Sequence, residues 1–141
     1  MDRPILPKRM IGIPKVGDKV AFTCKLIEAD VALFIGTTWD VNPLHTNETY
    51  CQATQFKHRI VPGLLSASLL THLGRLWAFL ATEMDFKFFA PVYVGDSITA
   101  QAEVVEIDAQ TDAVRLASSC TNQHGVQVLP ANVRGIPGAF E

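Results

Sequence analysis

Four runs with the residue alternation of β-strands fill the second half of this 141-residue chain. Short turns rich in Gly and Asp separate the runs, which cover residues 85–94, 96–108, 112–123 and 126–135. Because connections this short join neighbouring antiparallel strands, the pattern predicts a meander. An antiparallel sheet of this kind has one face to bury, so the first half of the chain has to supply the covering layer.

The first half of the chain contains one long helical pattern. Leucines recur at helical spacing from Pro62 to about Thr82, which predicts a helix of about 20 residues, roughly 30 Å long. Before it, the sequence predicts a strand at residues 18–28 and short helices within residues 29–39 and 46–56. Strand, long helix and antiparallel strands together predict an α+β fold, in which a curved sheet packs on one central helix.

One domain at residues 15–141, after an extended Pro-rich arm at residues 1–14, accounts for this order of elements. Hydrophobic residues make up 48% of the chain and charged residues 18%, whereas roughly 25% charged residues are usual. The chain therefore has apolar surface to hide, in an oligomer interface or an acyl-sized pocket. The net charge of -2 gives no field that would attract nucleic acid or an acidic membrane, so neither is an expected partner.

The cysteines and the other histidines indicate neither a disulfide framework nor a metal site. The three cysteines form no CxxC pair, and His58, His72 and His124 lack the spacing of metal ligands. The apolar segment at residues 60–81 carries His72 and Arg75, which favours a buried helix over a membrane span. We therefore expect a soluble, cytoplasmic protein with reduced thiols, no metal and no cofactor.

Asp40 and His45 stand close together on either side of an Asn-Pro turn. Pro43 disfavours helical geometry at Asn42, so the segment turns and can direct both side chains into one space. A carboxylate and an imidazole that share one water form an acid/base pair. Alternatively, Asp40 is a cap or Asx-turn residue and His45 is a partly buried structural histidine.

Pro62 and Gly63 open the predicted long helix. The first N–H groups of a helix have no partner within it, so they can bind an oxygen that becomes negative during a reaction. The alternative is an ordinary helix start.

The segment of about 40 residues at 34–74 resembles the signature of the MaoC-like (R)-specific enoyl-CoA hydratases, D-x-N-P-hydrophobic-H followed by a Gly-opened helix. Residues 88–104 resemble the strands that follow in that family. The resemblance implies a hot-dog fold, a homodimer or a multiple of dimers joined through sheet edges, and an acyl-CoA thioester substrate. The implied reaction is reversible hydration of trans-2-enoyl-CoA to (R)-3-hydroxyacyl-CoA.

The family pattern also implies roles for individual residues. Asp40 and His45 would be the catalytic dyad. We expect Asp40 to be the base and His45 the proton donor to Cα, and the sequence leaves the reverse assignment open. Asn42 would support the loop. The Gly63 N–H would stabilise the enolate oxygen.

Three further positions are expected near the substrate. Ser68 or Thr71 stands where the family often has a hydroxyl near the dyad. Arg59, in a basic cluster just before the helix, could contact coenzyme A phosphates, although a solvated basic patch is the alternative.

Trp39 and Pro62 depart from the family pattern, which often has Gly before the Asp and His before the helix-opening Gly. Trp39 would either line the acyl channel, which would restrict the substrate to short chains, or pack in the core.

The sequence is also compatible with two other functions. A hot-dog thioesterase would use a carboxylate and the same helix start, but it has no evident need for His45. A non-catalytic acyl-CoA-binding or scaffold domain would keep Asp40 and His45 for structural reasons. Release of free thiol would favour the first alternative, and binding without turnover the second.

Overall fold

One antiparallel sheet dominates the structure, a computed structural model that describes residues 12–138. Within these residues the sheet has five strands, β1 (Lys19–Lys25), β2 (Leu80–Phe86), β3 (Ser97–Ile107), β4 (Val114–Thr121) and β5 (Gln127–Ile136). Their order across the sheet is β1-β3-β4-β5-β2. The meander predicted for residues 96–135 is confirmed, and β1 and β2 form the sheet edges.

The helices of the described residues are short. They are α1 (Glu28–Thr38), α2 (Pro43–Thr46), α3 (Glu48–Gln52), α4 (Gly63–Ser68) and α5 (Leu70–Arg75). Alternate residues of β3, from Ile98 to Val104, are buried and form one core with Leu73 of α5. Since α5 contacts β1, β3 and β4, the predicted α+β packing of a sheet on a central helical segment is confirmed.

The long helix predicted from Pro62 to about Thr82 is wrong in its second part. The helical segment consists of α4 and α5, and it ends at Arg75. Leu80, which fits the helical spacing of the leucines, already belongs to β2. The central helical segment is therefore shorter than the sequence pattern indicated.

The chain reverses immediately after α5. The Phe79 N–H donates to the Gly74 carbonyl oxygen at 2.9 Å, and Ala78 between them has the left-handed φ of 50°. Leu80 then pairs with Ile136 of β5. Hydrogen bonding within the sheet thus overrides a local pattern that would continue the helix.

The strand predicted at residues 85–94 is wrong in its position. β2 ends at Phe86, and beyond it Tyr93 forms only an isolated bridge with Ile60. The segment between β2 and this bridge instead lines a cavity, with residues 88–92.

The arm predicted at residues 1–14 falls outside the described residues except for residues 12–14. Among the helices of residues 12–138, none combines the length and the apolar character needed to cross a membrane.

Candidate active site

A tight turn after α1 brings Asp40 and His45 together. The Asn42 side chain caps α2 by accepting the Leu44 N–H at 3.0 Å, and Pro43 takes the first helical position. Proline suits this position because its missing N–H would have no partner there. The turn places His45 Nε2 3.6 Å from Asp40 Oδ2, a distance that a water touching both groups can bridge.

The hydrogen bond of the buried nitrogen fixes the tautomer of His45. His45 Nδ1 lies 2.8 Å from the carbonyl oxygen of Ile60, and a carbonyl oxygen only accepts, so Nδ1 carries a proton. In the neutral ring, Nε2 is then the free acceptor. The His45 side chain is only 10% exposed, whereas that of Asp40 is 46% exposed. The imidazole is therefore held from behind and presents Nε2 to the carboxylate.

A cavity of about 550 Å³ opens beside this pair. Most of its wall is apolar, including Phe34, Phe56, Leu64, Phe88, Val92 and Leu129. Its polar side chains include those of Asp40 and His45. An apolar cavity with a few converging polar groups is the usual form of a small-molecule site.

Gly63 lines the same cavity at the start of α4. The first intrahelical bond to the Pro62 carbonyl comes from the Leu65 N–H at 3.0 Å, so the Gly63 and Leu64 amides precede the hydrogen-bond ladder of the helix. A Cβ at Gly63 would lie 2.6 Å from the Phe88 ring. Glycine thus allows the cavity wall to approach the helix start closely.

Ser66 is a cavity residue that sequence reasoning missed. It is only 2% exposed, lines the cavity, and its Oγ has no hydrogen-bond partner. Since Ser66 follows Gly63 by one helical turn, the two positions share a helix face, and this spacing is the signal that could have identified it.

The expected hydroxyls of Ser68 and Thr71 lie elsewhere. Both residues are exposed, and each hydroxyl donates to its own helical segment at 2.6 Å, to Leu65 O and Ser68 O respectively. Neither residue lines the cavity beside the dyad, and Thr71 borders a separate apolar cavity of about 300 Å³. Asn42 is likewise absent from the wall of the larger cavity. Its side chain caps the start of α2 instead.

Arg59 contacts carboxylates within the subunit. Its guanidinium forms a two-pronged ion pair with Glu28, in which Nη1 lies 2.9 Å from Oε1 and Nη2 meets Oε2. The same Nη1 donates to the His45 carbonyl oxygen at 3.3 Å. The hydrogen bond from Arg59 holds the pKa of Glu28 below its usual value. The structure therefore places Arg59 outside the cavity wall and next to the main chain of His45, with its charge paired to Glu28.

Trp39 occupies neither of its two expected positions. Its side chain is 83% exposed in the subunit and does not line the cavity. It ends α1 with a left-handed φ of 60°. Pro62, by contrast, is buried and lines the cavity wall before Gly63.

Known proteins resemble this chain in sequence and in fold. Residues 13–123 match the model of the MaoC like domain family. An (R)-specific enoyl-CoA hydratase of Rhodospirillum rubrum is 36% identical over 112 residues, which are 76% of this chain and 77% of that protein. An (R)-specific enoyl-CoA hydratase of Aeromonas caviae is 32% identical over 117 residues, 79% of this chain and 86% of that protein.

The solved structure of unliganded R-hydratase PhaJ1 from Pseudomonas aeruginosa has a TM-score of 0.84 to this chain at 30% identity. The match covers 91% of this chain and 87% of that one. These similarities confirm the hot-dog fold and the family resemblance read from the sequence.

Proposed function

The chain belongs to the MaoC-like domain family, and we propose that it is a hydro-lyase that reversibly adds water to a trans-2-enoyl-CoA, giving an (R)-3-hydroxyacyl-CoA. The observation that carries this proposal is the Asp40–His45 pair, 3.6 Å apart at an apolar cavity. Hydration needs a base that activates the water, an acid that protonates C2, and an apolar space for the acyl chain.

In the proposed reaction, Asp40 accepts a proton from the water as the water oxygen bonds to C3 of the enoyl group. The proton then passes from Asp40 to Nε2 of His45, and the imidazole, now protonated on both nitrogens, delivers it to C2. The Ile60 carbonyl, 2.8 Å from Nδ1, accepts a hydrogen bond in both charge states of the ring, so the imidazole need not turn during the cycle. The Gly63 N–H stabilises the enolate oxygen that forms between the two steps.

The test is an assay with enoyl-CoA substrates of several chain lengths. Loss of the conjugated enoyl absorbance without release of free thiol is the expected result. Thiol release would indicate a thioesterase. Saturable binding of every enoyl-CoA without turnover would indicate a non-catalytic acyl-CoA-binding domain.

We do not expect Trp39 to set the chain-length preference, because its side chain lies outside the cavity. Trp39→Gly is therefore expected to leave the ratio of kcat/KM for crotonyl-CoA and octenoyl-CoA unchanged. Glycine adopts the left-handed conformation of this position without strain, so stability should rise by about 1 kcal/mol. Thermal melting and the two assays check this, and a widened chain range or a large fall in Tm would show that Trp39 packs against the substrate or a partner.

The exposed edge of β2 supports a homodimer. β2 pairs with β5 on one side only, and its side chains are exposed over most of its length. Leu80 and Met84 on this strand are 53% and 37% exposed. An unpaired strand edge with apolar side chains is a surface that a second copy can cover by extending the sheet.

Light scattering at micromolar concentration should give twice the 15.5 kDa mass of the subunit. Met84→Glu, which places a charge on the β2 edge in each copy, should shift the equilibrium towards monomer. A wild-type protein that is monomeric at this concentration would contradict the proposed dimer.

The expected cytoplasmic location belongs to the same proposal. Cys24, Cys51 and Cys120 are all free thiols, which agrees with a reducing compartment.

A further inference from the structure

We propose that Arg59 is a positioning residue for His45, held in place by Glu28 and Glu48; its effect on turnover rests on the hydratase activity proposed above. The Arg59 side chain is only 20% exposed. It reaches the main chain of His45 through the 3.3 Å bond from Nη1 to the carbonyl oxygen. Arg59, which does not line the cavity, therefore contacts the histidine through its main chain.

Glu28 orients the guanidinium of Arg59. Both carboxylate oxygens of Glu28 meet the guanidinium, at Nη1 and Nη2. A two-pronged pair of this kind fixes the plane of the guanidinium as well as its position. The orientation leaves Nη1 able to reach His45 as well.

Glu48 fixes the main chain at the same point. Its Oε2 accepts the backbone N–H of Arg59 at 3.1 Å, and its Oε1 lies 2.7 Å from Nδ1 of His58. These contacts, with the one to His58 as the larger cause, lower the pKa of Glu48. Glu48 therefore holds residues 58 and 59 in a fixed position relative to α3.

The residue after Arg59 is the one that orients the imidazole. Ile60 accepts the Nδ1 proton of His45 at 2.8 Å through its carbonyl oxygen, and its N–H donates to Leu44 O at 3.0 Å. Residues 59 and 60 thus hold both the main chain and the ring of His45. Without the guanidinium, the His45 peptide and the Ile60 carbonyl lose a common anchor, and Nε2 can move away from Asp40.

A role in binding coenzyme A phosphates fits these contacts poorly. A phosphate would have to displace the Glu28 carboxylate from the guanidinium, and Glu48 lies 4.0 Å from Nε of Arg59. The surroundings of Arg59 are therefore acidic. The two roles also predict different kinetics, because a lost phosphate contact raises KM whereas a misplaced histidine lowers kcat.

Arg59→Met, Arg59→Lys and Glu28→Gln are compared with Arg115→Met as a matched control. Arg115 forms an ion pair with Glu106 at 2.9 Å and is 34% exposed, and it lies on β4 outside the cavity wall. Each protein is assayed for kcat and KM with crotonyl-CoA, and 15N NMR of the imidazole reports the tautomer of His45.

Arg59→Met should lower kcat roughly tenfold to a hundredfold, the scale of a small displacement of a reacting group, with KM changed less than about threefold. Its NMR spectrum should lose the uniform Nδ1–H form of the wild type. Arg59→Lys should restore part of kcat, Glu28→Gln should give a smaller loss in the same direction, and Arg115→Met should change neither readout.

A raised KM with unchanged kcat, or unchanged kcat with an unchanged His45 tautomer, would overturn the positioning role. If Arg59→Met does not fold, the positioning role is tested with Glu28→Gln, by the same kinetic and NMR readouts. If the wild type hydrates no enoyl-CoA, the proposed function fails, while the NMR comparison still decides whether Arg59 orients His45.

Discussion

Asp40→Asn and His45→Gln are each expected to lower hydratase kcat by about two orders of magnitude or more, the scale of a lost acid or base. Asparagine keeps the size of the carboxylate but cannot accept a proton from water. Glutamine keeps a polar side chain but has no titratable nitrogen, so it cannot deliver a proton to C2. Turnover of crotonyl-CoA measures the loss, and circular dichroism checks that both variants fold.

The double variant Asp40→Asn with His45→Gln should be little worse than either single variant, because the two groups act on one water as a unit. Asp40 and His45 contact each other across only 3.6 Å, so independent, multiplicative losses are not expected. Near-normal turnover in Asp40→Asn would contradict the mechanism, since no other carboxylate lines the cavity wall of the described residues.

Gly135→Ala is expected to destabilise the protein by about 3 kcal/mol, because a methyl group has no space there. An added Cβ would lie 2.2 Å from the backbone oxygen of Leu80 and 2.6 Å from the Phe79 ring. The oxygen belongs to the β2–β5 ladder, where Leu80 pairs with Ile136, so it cannot rotate away. Tm should fall by about 10 °C.

Gly36→Ala is the matched control for this substitution. Gly36 lies within α1, and a Cβ there would meet nothing within 4 Å. Alanine in a helix interior is favoured over glycine by roughly 0.5–1 kcal/mol, so Tm should rise slightly. Equal changes in the two variants would show that the close approach at Gly135 does not limit stability.

Local geometry explains why the sequence could predict that Asp40 and His45 lie close together. Asp40 and His45 lie on one turn, and the residues that shape the turn, Asn42 and Pro43, lie between them. Proline geometry and side-chain capping act within a few residues. The proximity of the carboxylate and the imidazole could therefore be inferred without knowledge of the fold.

The partners of Arg59 could not be predicted in this way. Glu28 lies 31 residues away in sequence, and only the folded chain brings the start of α1 next to residue 59. A basic residue before a helix-opening glycine has the same sequence pattern whether it binds a phosphate or a carboxylate from a distant part of the chain. The local pattern alone therefore could not distinguish these two roles.

The end of the central helix was missed for a related reason. Helical leucine spacing continues through Leu76 and Leu80, so the local pattern carries no stop signal. The strand begins because β5 offers hydrogen-bond partners to β2, and those partners come 45 to 56 residues later. A pattern within one segment does not contain that information.

The configuration at C3 of the hydroxyacyl-CoA formed from crotonyl-CoA decides whether this site performs the proposed hydration. Chiral chromatography of the product should show the (R) isomer with the wild-type protein, formed at a rate at least about a hundredfold lower with Asp40→Asn. Formation of the (S) isomer, or no hydroxyacyl-CoA from any enoyl chain length, would contradict the proposal.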